Sequence, residues 1–195
     1  MKRQFYRTRG SFGGWTGIFF LCAVLGVLSQ PLRAAQRFAF ESTIRLDEQT
    51  LERRGTGHFT YWFWSLYDGA LYLPAEEAPE AVLEVVPKRL DLAYFREIPA
   101  EKMVEAGQKI LRKNVTEAEW NLIADRLTRI NAAYQTVDEG DRYQLTFVPG
   151  RGTTLSLNGE ELITIPGDDF ARLYFRIWFG EDPVGADFRD DLMGR

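Results

Sequence analysis

Few side chains in this sequence are equipped for polar chemistry, and most of them sit in aromatic surroundings. His58 is the single histidine. Its imidazole titrates near neutral pH and would suit a general base. No neighbouring Cys, Ser or Asp in the sequence completes a known nucleophilic arrangement around it, so it reads as a structural or surface histidine. One histidine, with Cys22 as the single cysteine, does not make a zinc site, and no metal is expected. Asp168-Asp169 and Asp190-Asp191 read as helix N-terminal charge and a solvated face. Arg96-Glu97 reads as a solvated rim pair. Pro149-Gly150-Arg151-Gly152 lacks the Lys and the following helix of a phosphate loop and reads as a turn. What remains is a set of hydroxyls on Tyr61, Ser65, Tyr67 and Tyr94. A buried tyrosine is first an apolar body with a satisfied hydroxyl. No catalytic residue and no cofactor is therefore assigned.

The element that must position these groups is Gly55–Pro74, with aromatics at Phe59, Tyr61, Trp62, Phe63, Trp64, Tyr67 and Tyr72 and a single charge, Asp68. Aromatic density favours a pleated, half-buried surface. The stretch predicts one long strand over Gly57–Leu73, or two strands joined at a bulge near Asp68-Gly69. Alternation places Phe59, Tyr61, Phe63, Ser65 and Tyr67 on one face and His58, Thr60, Trp62, Trp64 and Leu66 on the other. Both faces are apolar, which predicts a central strand covered on both sides.

Around it the pattern predicts a first strand over residues 38–46, a polar approach over Asp47–Arg54 and a tight turn at Gly55-Thr56-Gly57. A short helix is expected over Glu80–Val86 and a strand over Lys88–Ile98. A helix opening at Pro99 should run to about Lys113 with Met103, Ala106, Ile110 and Leu111 inward. Thr116-Glu117-Ala118-Glu119 is a capping box for a helix burying Trp120, Ile123, Leu127, Ile130 and Tyr134. Asp141–Val148 reads as a strand, and Asn158-Gly159 as the turn of a hairpin between Thr153–Leu157 and Glu160–Ile165. A long helix capped by Asp168 and a short amphipathic piece over Ala186–Met193 close the chain. Partly segregated, hairpin-connected elements predict an α+β fold with a mainly antiparallel sheet.

Residues 1–35 read as a signal peptide and 36–195 as one domain. Lys2, Arg3, Arg7 and Arg9 precede an uncharged apolar run, Trp15–Leu28, too short for a bilayer span of roughly 20 residues. The expected location is periplasmic or secreted, with membrane contact only through the leader where it is retained. Five of the 24 basic residues and none of the 28 acidic ones precede residue 36, leaving 19 basic against 28 acidic groups and a net charge of −9. That argues against nucleic acid and anionic lipid as partners.

Taken in order, several segments resemble the chalcone isomerase-like family, in its bacterial exported branch. They are Gly55-Thr56-Gly57, Leu66–Leu73, Leu90–Ile98, Gly140-Asp141, Pro149–Thr153, Leu157–Glu160 and Phe175–Gly180. The resemblance implies an open-faced β-sandwich, a large antiparallel sheet with helices on one face and a ligand cleft between them. The family includes plant isomerases that cyclise chalcones and relatives that bind fatty acids without catalysis, and fold alone does not choose between them. The Arg that the resemblance places after the glycine turn falls at Phe59, the Thr at Tyr67 and the Lys near Tyr94, and Ile98–Met103 holds no Tyr. A phenolate in a dry cleft needs a fixed positive partner, which Phe59 does not supply. The resemblance makes the face of Phe59, Tyr61, Phe63, Ser65 and Tyr67, with Tyr94, the wall of a cleft for a hydrophobic small molecule such as an acyl chain. An isomerase using Tyr67 and Tyr94, and an envelope scaffold whose cleft is filled by its own side chains, are the alternatives.

Overall fold

The computed structural model describes residues 38–195; the leader expected over residues 1–35 lies outside them. Seven antiparallel strands follow one another in sequence order: β1 (Thr43–Leu46), β2 (Gln49–Tyr61), β3 (Trp64–Pro74), β4 (Lys88–Tyr94), β5 (Arg142–Val148), β6 (Gly152–Leu157) and β7 (Glu160–Ile165). The helices are α1 (Ala100–Asn114), α2 (Glu117–Ala133), α3 (Asp168–Tyr174), α4 (Arg176–Phe179) and α5 (Ala186–Leu192), with a 3-10 turn at Pro79–Leu83. The helices cover one face of the sheet. Tyr67, Leu71, Leu90, Leu92, Tyr143, Leu145, Phe147 and Leu155 meet Leu111, Ile123, Leu127, Ile130, Phe170 and Phe175 there. A small second cluster, Leu51, Ala70 and Tyr72 with Phe40, Ile44 and Leu46, lies on the other face. This is the antiparallel α+β class the sequence pattern predicts, in the open-faced arrangement that the resemblance implies.

Local signals hold where short-range chemistry decides. Thr116 Oγ1 accepts from the Glu119 N–H while Glu119 accepts from the Thr116 N–H, the reciprocal box that starts α2. Asn158 and Gly159 both take positive φ, as a two-residue hairpin of this kind requires.

Four expectations are corrected. The aromatic stretch is neither one strand nor two joined at Asp68-Gly69: the chain reverses at Trp62-Phe63, and Tyr61 pairs with Trp64. The polar residues 49–54 belong to β2, and Gly55 and Gly57 lie inside that strand, not in a turn. The reason is α5. A Cβ on Gly55 would stand 2.1 Å from the Asp191 carbonyl oxygen, and one on Gly57 2.6 Å from the Phe188 ring. Bare backbone lets the C-terminal helix lie on the sheet. In α1, Ala106 is exposed, and Gly107 takes the inward place opposite Ile177. Gly167, not Asp168, is the N-cap of α3, and the expected long helix breaks into α3 and α4 at Phe175.

Gly55→Ala is expected to lower unfolding stability by about 3 kcal/mol through this clash, read as a lowered denaturation midpoint. A neutral result would show that α5 moves off the sheet without cost.

Candidate functional site

Between the sheet and the helices lies a cavity of about 590 Å³, within the range of ligand pockets. Leu90, Leu92, Leu145 and Leu155 form its sheet wall, and Met103, Ile110, Leu127 and Ile177 contribute from the helices. Tyr61, which is 60% exposed, and Lys102 in the first turn of α1 also line it, so the cavity meets solvent beside the β2–β3 turn.

An aromatic belt runs along one side. Phe59 stacks on Tyr67 with centroids 5.0 Å apart, and the edge of Phe188 meets both. Tyr67 meets Tyr94 edge-on at 5.5 Å, Tyr94 meets Tyr143 at 6.1 Å, and Tyr143 lies 5.2 Å from Tyr134. The Tyr134 and Tyr174 hydroxyls share a hydrogen bond of 2.9 Å. The Tyr143 hydroxyl accepts from the Gln135 N–H and donates to the Gln135 carbonyl.

Burial pushes these phenols up. Tyr134 rises to about 12, and Tyr67, Tyr94 and Tyr174 well above their ordinary value. Around Tyr67 the Trp178 indole opposes the shift without cancelling it. The phenols are therefore neutral hydrogen-bonding groups at physiological pH and poor bases. The cationic lining residues, Lys102, Lys109 and Lys113, belong to the exposed side of α1, and Lys102 and Lys113 are paired with Glu105 and Asp182. One buried polar atom of the lining has no protein partner: Asn131 Nδ2, near the end of α2. Among the described residues no group of three or more His, Cys, Asp and Glu is placed to hold a metal ion.

Of the six residues expected on the cleft wall, Phe59, Tyr61, Tyr67 and Tyr94 line this cavity. Phe63 and Ser65 do not. Phe63 sits in the β2–β3 turn and is 89% exposed. Ser65 is carried to the opposite face by a bulge. Phe59 pairs with Tyr67 and Thr60 with Ser65, so Leu66 is an extra residue that inverts the alternation, and Leu66 itself lines the cavity. Sequence reasoning missed Asn131, Tyr134, Tyr143, Tyr174 and Trp178 as lining residues. Their signal was the presence of hydroxyl, indole and amide groups on helix and strand faces that read only as packing.

The hairpin also joins residues that look unrelated in sequence. On the face away from the cavity, His58 Nδ1 lies 2.6 Å from Asp68 Oδ1, and His58 Nε2 lies 2.9 Å from Ser65 Oγ. Carboxylate, imidazole and hydroxyl follow in the order that activates a serine nucleophile. Here the other Asp68 oxygen accepts from the Phe38 N–H at 2.8 Å, and the Phe38 ring lies 4.7 Å from that of Phe95. Asp68, held by His58 and through it by Ser65, thus ties the incoming segment to β3, and Phe38 packs on Phe95 just after β4. As a clamp, Ser65 is expected to resist a fluorophosphonate that labels activated serines; stoichiometric labelling lost in His58→Ala would make it a nucleophile instead.

No curated protein matches this sequence. Among solved structures, a fatty-acid binding protein of Arabidopsis thaliana matches with a TM-score of 0.60 and 14% identity, over 80% of this chain and 92% of that one. That likeness shows the fold. The family model described as chalcone isomerase-like matches residues 33–194. With that match spanning every strand and helix described above, the chain belongs to the chalcone isomerase-like family.

Proposed function

We propose that this domain is a non-catalytic carrier of a hydrophobic small molecule whose polar end is uncharged, acting in the periplasm or outside the cell after loss of the leader. The observation that carries the reading is the apolar cavity of about 590 Å³ whose lining holds one orphaned donor, Asn131 Nδ2, among neutral phenols. An orphaned buried donor is a standing cost, relieved by a ligand carbonyl or hydroxyl. An ionised carboxylate would enter a wall with no buried cation, at far higher cost. The fatty-acid binding function of the Arabidopsis protein supports an elongated apolar ligand. The raised phenols weigh against Tyr67 or Tyr94 as a base in the isomerase alternative, and no buried cation of the lining is placed to hold a phenolate.

Native mass spectrometry of protein purified from its own host without detergent tests the reading. The expected result is a bound mass of a few hundred daltons, released on denaturation, with residues 1–35 absent. A uniformly empty protein that also takes up no acyl alcohol or ketone would sink the carrier reading. Chalcone turnover lost in Tyr67→Phe would replace it with the isomerase. Asn131→Leu is expected to act in two directions. Removing the orphaned amide raises stability by about 1 kcal/mol, while affinity for the released ligand falls about tenfold. Unchanged affinity would place the ligand's polar end at the lysine-bearing mouth.

A further inference from the structure

Tyr61, Trp62, Phe63 and Trp64 are 60%, 78%, 89% and 60% exposed. The other large exposed apolar residues among those described, Val85 and Leu122, stand apart in sequence. Four consecutive solvated aromatics form the kind of patch that marks an interaction site. They also occupy a turn, where Gly, Asn and Asp are the ordinary residues. Trp62 takes a φ of 57°, a conformation that is unfavourable for a bulky side chain. Exposure and backbone both work against these residues, and none of the four belongs to either apolar cluster of the described residues.

We propose that the β2–β3 turn, Tyr61–Trp64, is a membrane-docking element that seats the protein in the interfacial layer of a zwitterionic bilayer, with the cavity mouth at headgroup depth. Three observations select a lipid surface over another protein. The side chains are Trp, Tyr and Phe, whose amphipathic rings settle at a membrane–water interface. The stretch Gly55–Leu66 carries no Lys, Arg, Asp or Glu, so nothing charged must be desolvated at the tip, and nothing there selects a charged partner. The tip is also continuous with the cavity: Tyr61 belongs to both, and Leu66, just beyond the turn, lines the same wall. Behind it, the Arg96 guanidinium lies 4.4 Å from the Trp64 ring centre, fixing the ring and placing a cation at phosphate level. Lys102 stands at the mouth, but Glu97, Glu101 and Glu105 share that end of the molecule, so net charge does not drive the contact. This proposal deepens the carrier reading and rests on it for its purpose: ligand would pass between bilayer and cavity without crossing water.

Among the described residues, 38–195, the seven strands pair into one sheet and the helices pack on it through a shared apolar core. That segment is therefore tested without the apolar N-terminal run, and the comparison is repeated on the full chain. The probe is a phosphatidylcholine vesicle. The expected result is co-flotation that changes little between low and high salt, with Trp emission quenched by brominated lipid. The double variant Trp62→Ser, Phe63→Ser is expected to partition at least about tenfold less while keeping the wild-type thermal transition, because both side chains are exposed. The proposal is overturned by full vesicle binding in the variant, or by binding that needs anionic lipid and vanishes with salt. It is equally overturned if a lipid-free dimer, lost in the variant, forms while vesicles are ignored, which would make the tip a protein interface. Ligand occupancy separates the two readings. A variant that keeps its bound mass but leaves the vesicles supports docking. Wild-type protein that docks yet carries nothing overturns the carrier reading alone.

Discussion

Raising the pH from 9 to 12 is expected to unfold the protein in one transition, with tyrosinate absorbance and loss of the sheet's circular dichroism coinciding. Burial raises six phenols above their ordinary value: Tyr67, Tyr72, Tyr94, Tyr134, Tyr143 and Tyr174. In the unfolded chain each would ionise near pH 10. The folded state holds the protons longer, so its advantage is complete below pH 10 and is lost as pH climbs toward the folded values. The loss runs at about 1.4 kcal/mol per pH unit for each phenol held neutral. Tyr72 and Tyr134, both near 12, account for about 2 kcal/mol apiece by pH 12. The other buried phenols act in the same direction, against the roughly 5–15 kcal/mol that holds a domain together.

Lys88 acts in the opposite direction. Fully buried at the start of β4, it donates to the Val82 and Glu84 carbonyls and lies over the Phe147 and Phe175 rings, and burial lowers it to about 8. Between pH 8 and 10 the unfolded chain keeps this proton while the folded one releases it, so stability rises there by about 2 kcal/mol. The expected profile climbs gently from pH 8, turns near 10 and then collapses. Six tyrosinates appearing near pH 10 with the sheet intact would contradict it.

Leu92→Trp is expected to abolish ligand binding, by about a hundredfold or more, at a stability change within about 2 kcal/mol. Leu92 stands in the middle of the sheet, between Gly69 and Tyr143, with its side chain on the helix-covered face and in the cavity wall. An indole there grows into empty space, so it competes with ligand before it competes with packing. Titration of the molecule released from the native protein, alongside a denaturant melt, reads both effects. A variant that binds like wild type would place the ligand elsewhere. One that unfolds outright would mean that the neighbouring side chains already fill the space, as the scaffold alternative requires.

The sequence alone determined whatever depends on neighbours along the chain. The capping box at Thr116–Glu119, the Asn158-Gly159 turn, the buried face of α2 and the alternation of β4 to β6 are written in spacings of a few residues, where each signal has one physical solution. The antiparallel α+β class followed from them; the family resemblance rested on the order of separate segments such as Gly55-Thr56-Gly57 and Leu66–Leu73. Tertiary structure alone decided the rest. Seven aromatics in Gly55–Pro74 fit a covered central strand as well as a hairpin, because burial and exposure call for opposite environments but the same letters. The reversal at Trp62-Phe63 and the extra residue Leu66 set which hydroxyl faces which side, and one bulge moved Ser65 from the cavity to His58. The glycines of β2 read as a turn because nothing nearby in sequence reveals that a helix more than 130 residues later would need bare backbone there. Asn131 could not be singled out either: a lone amide becomes a donor without a partner only once the helices have closed over the sheet and left space beside it.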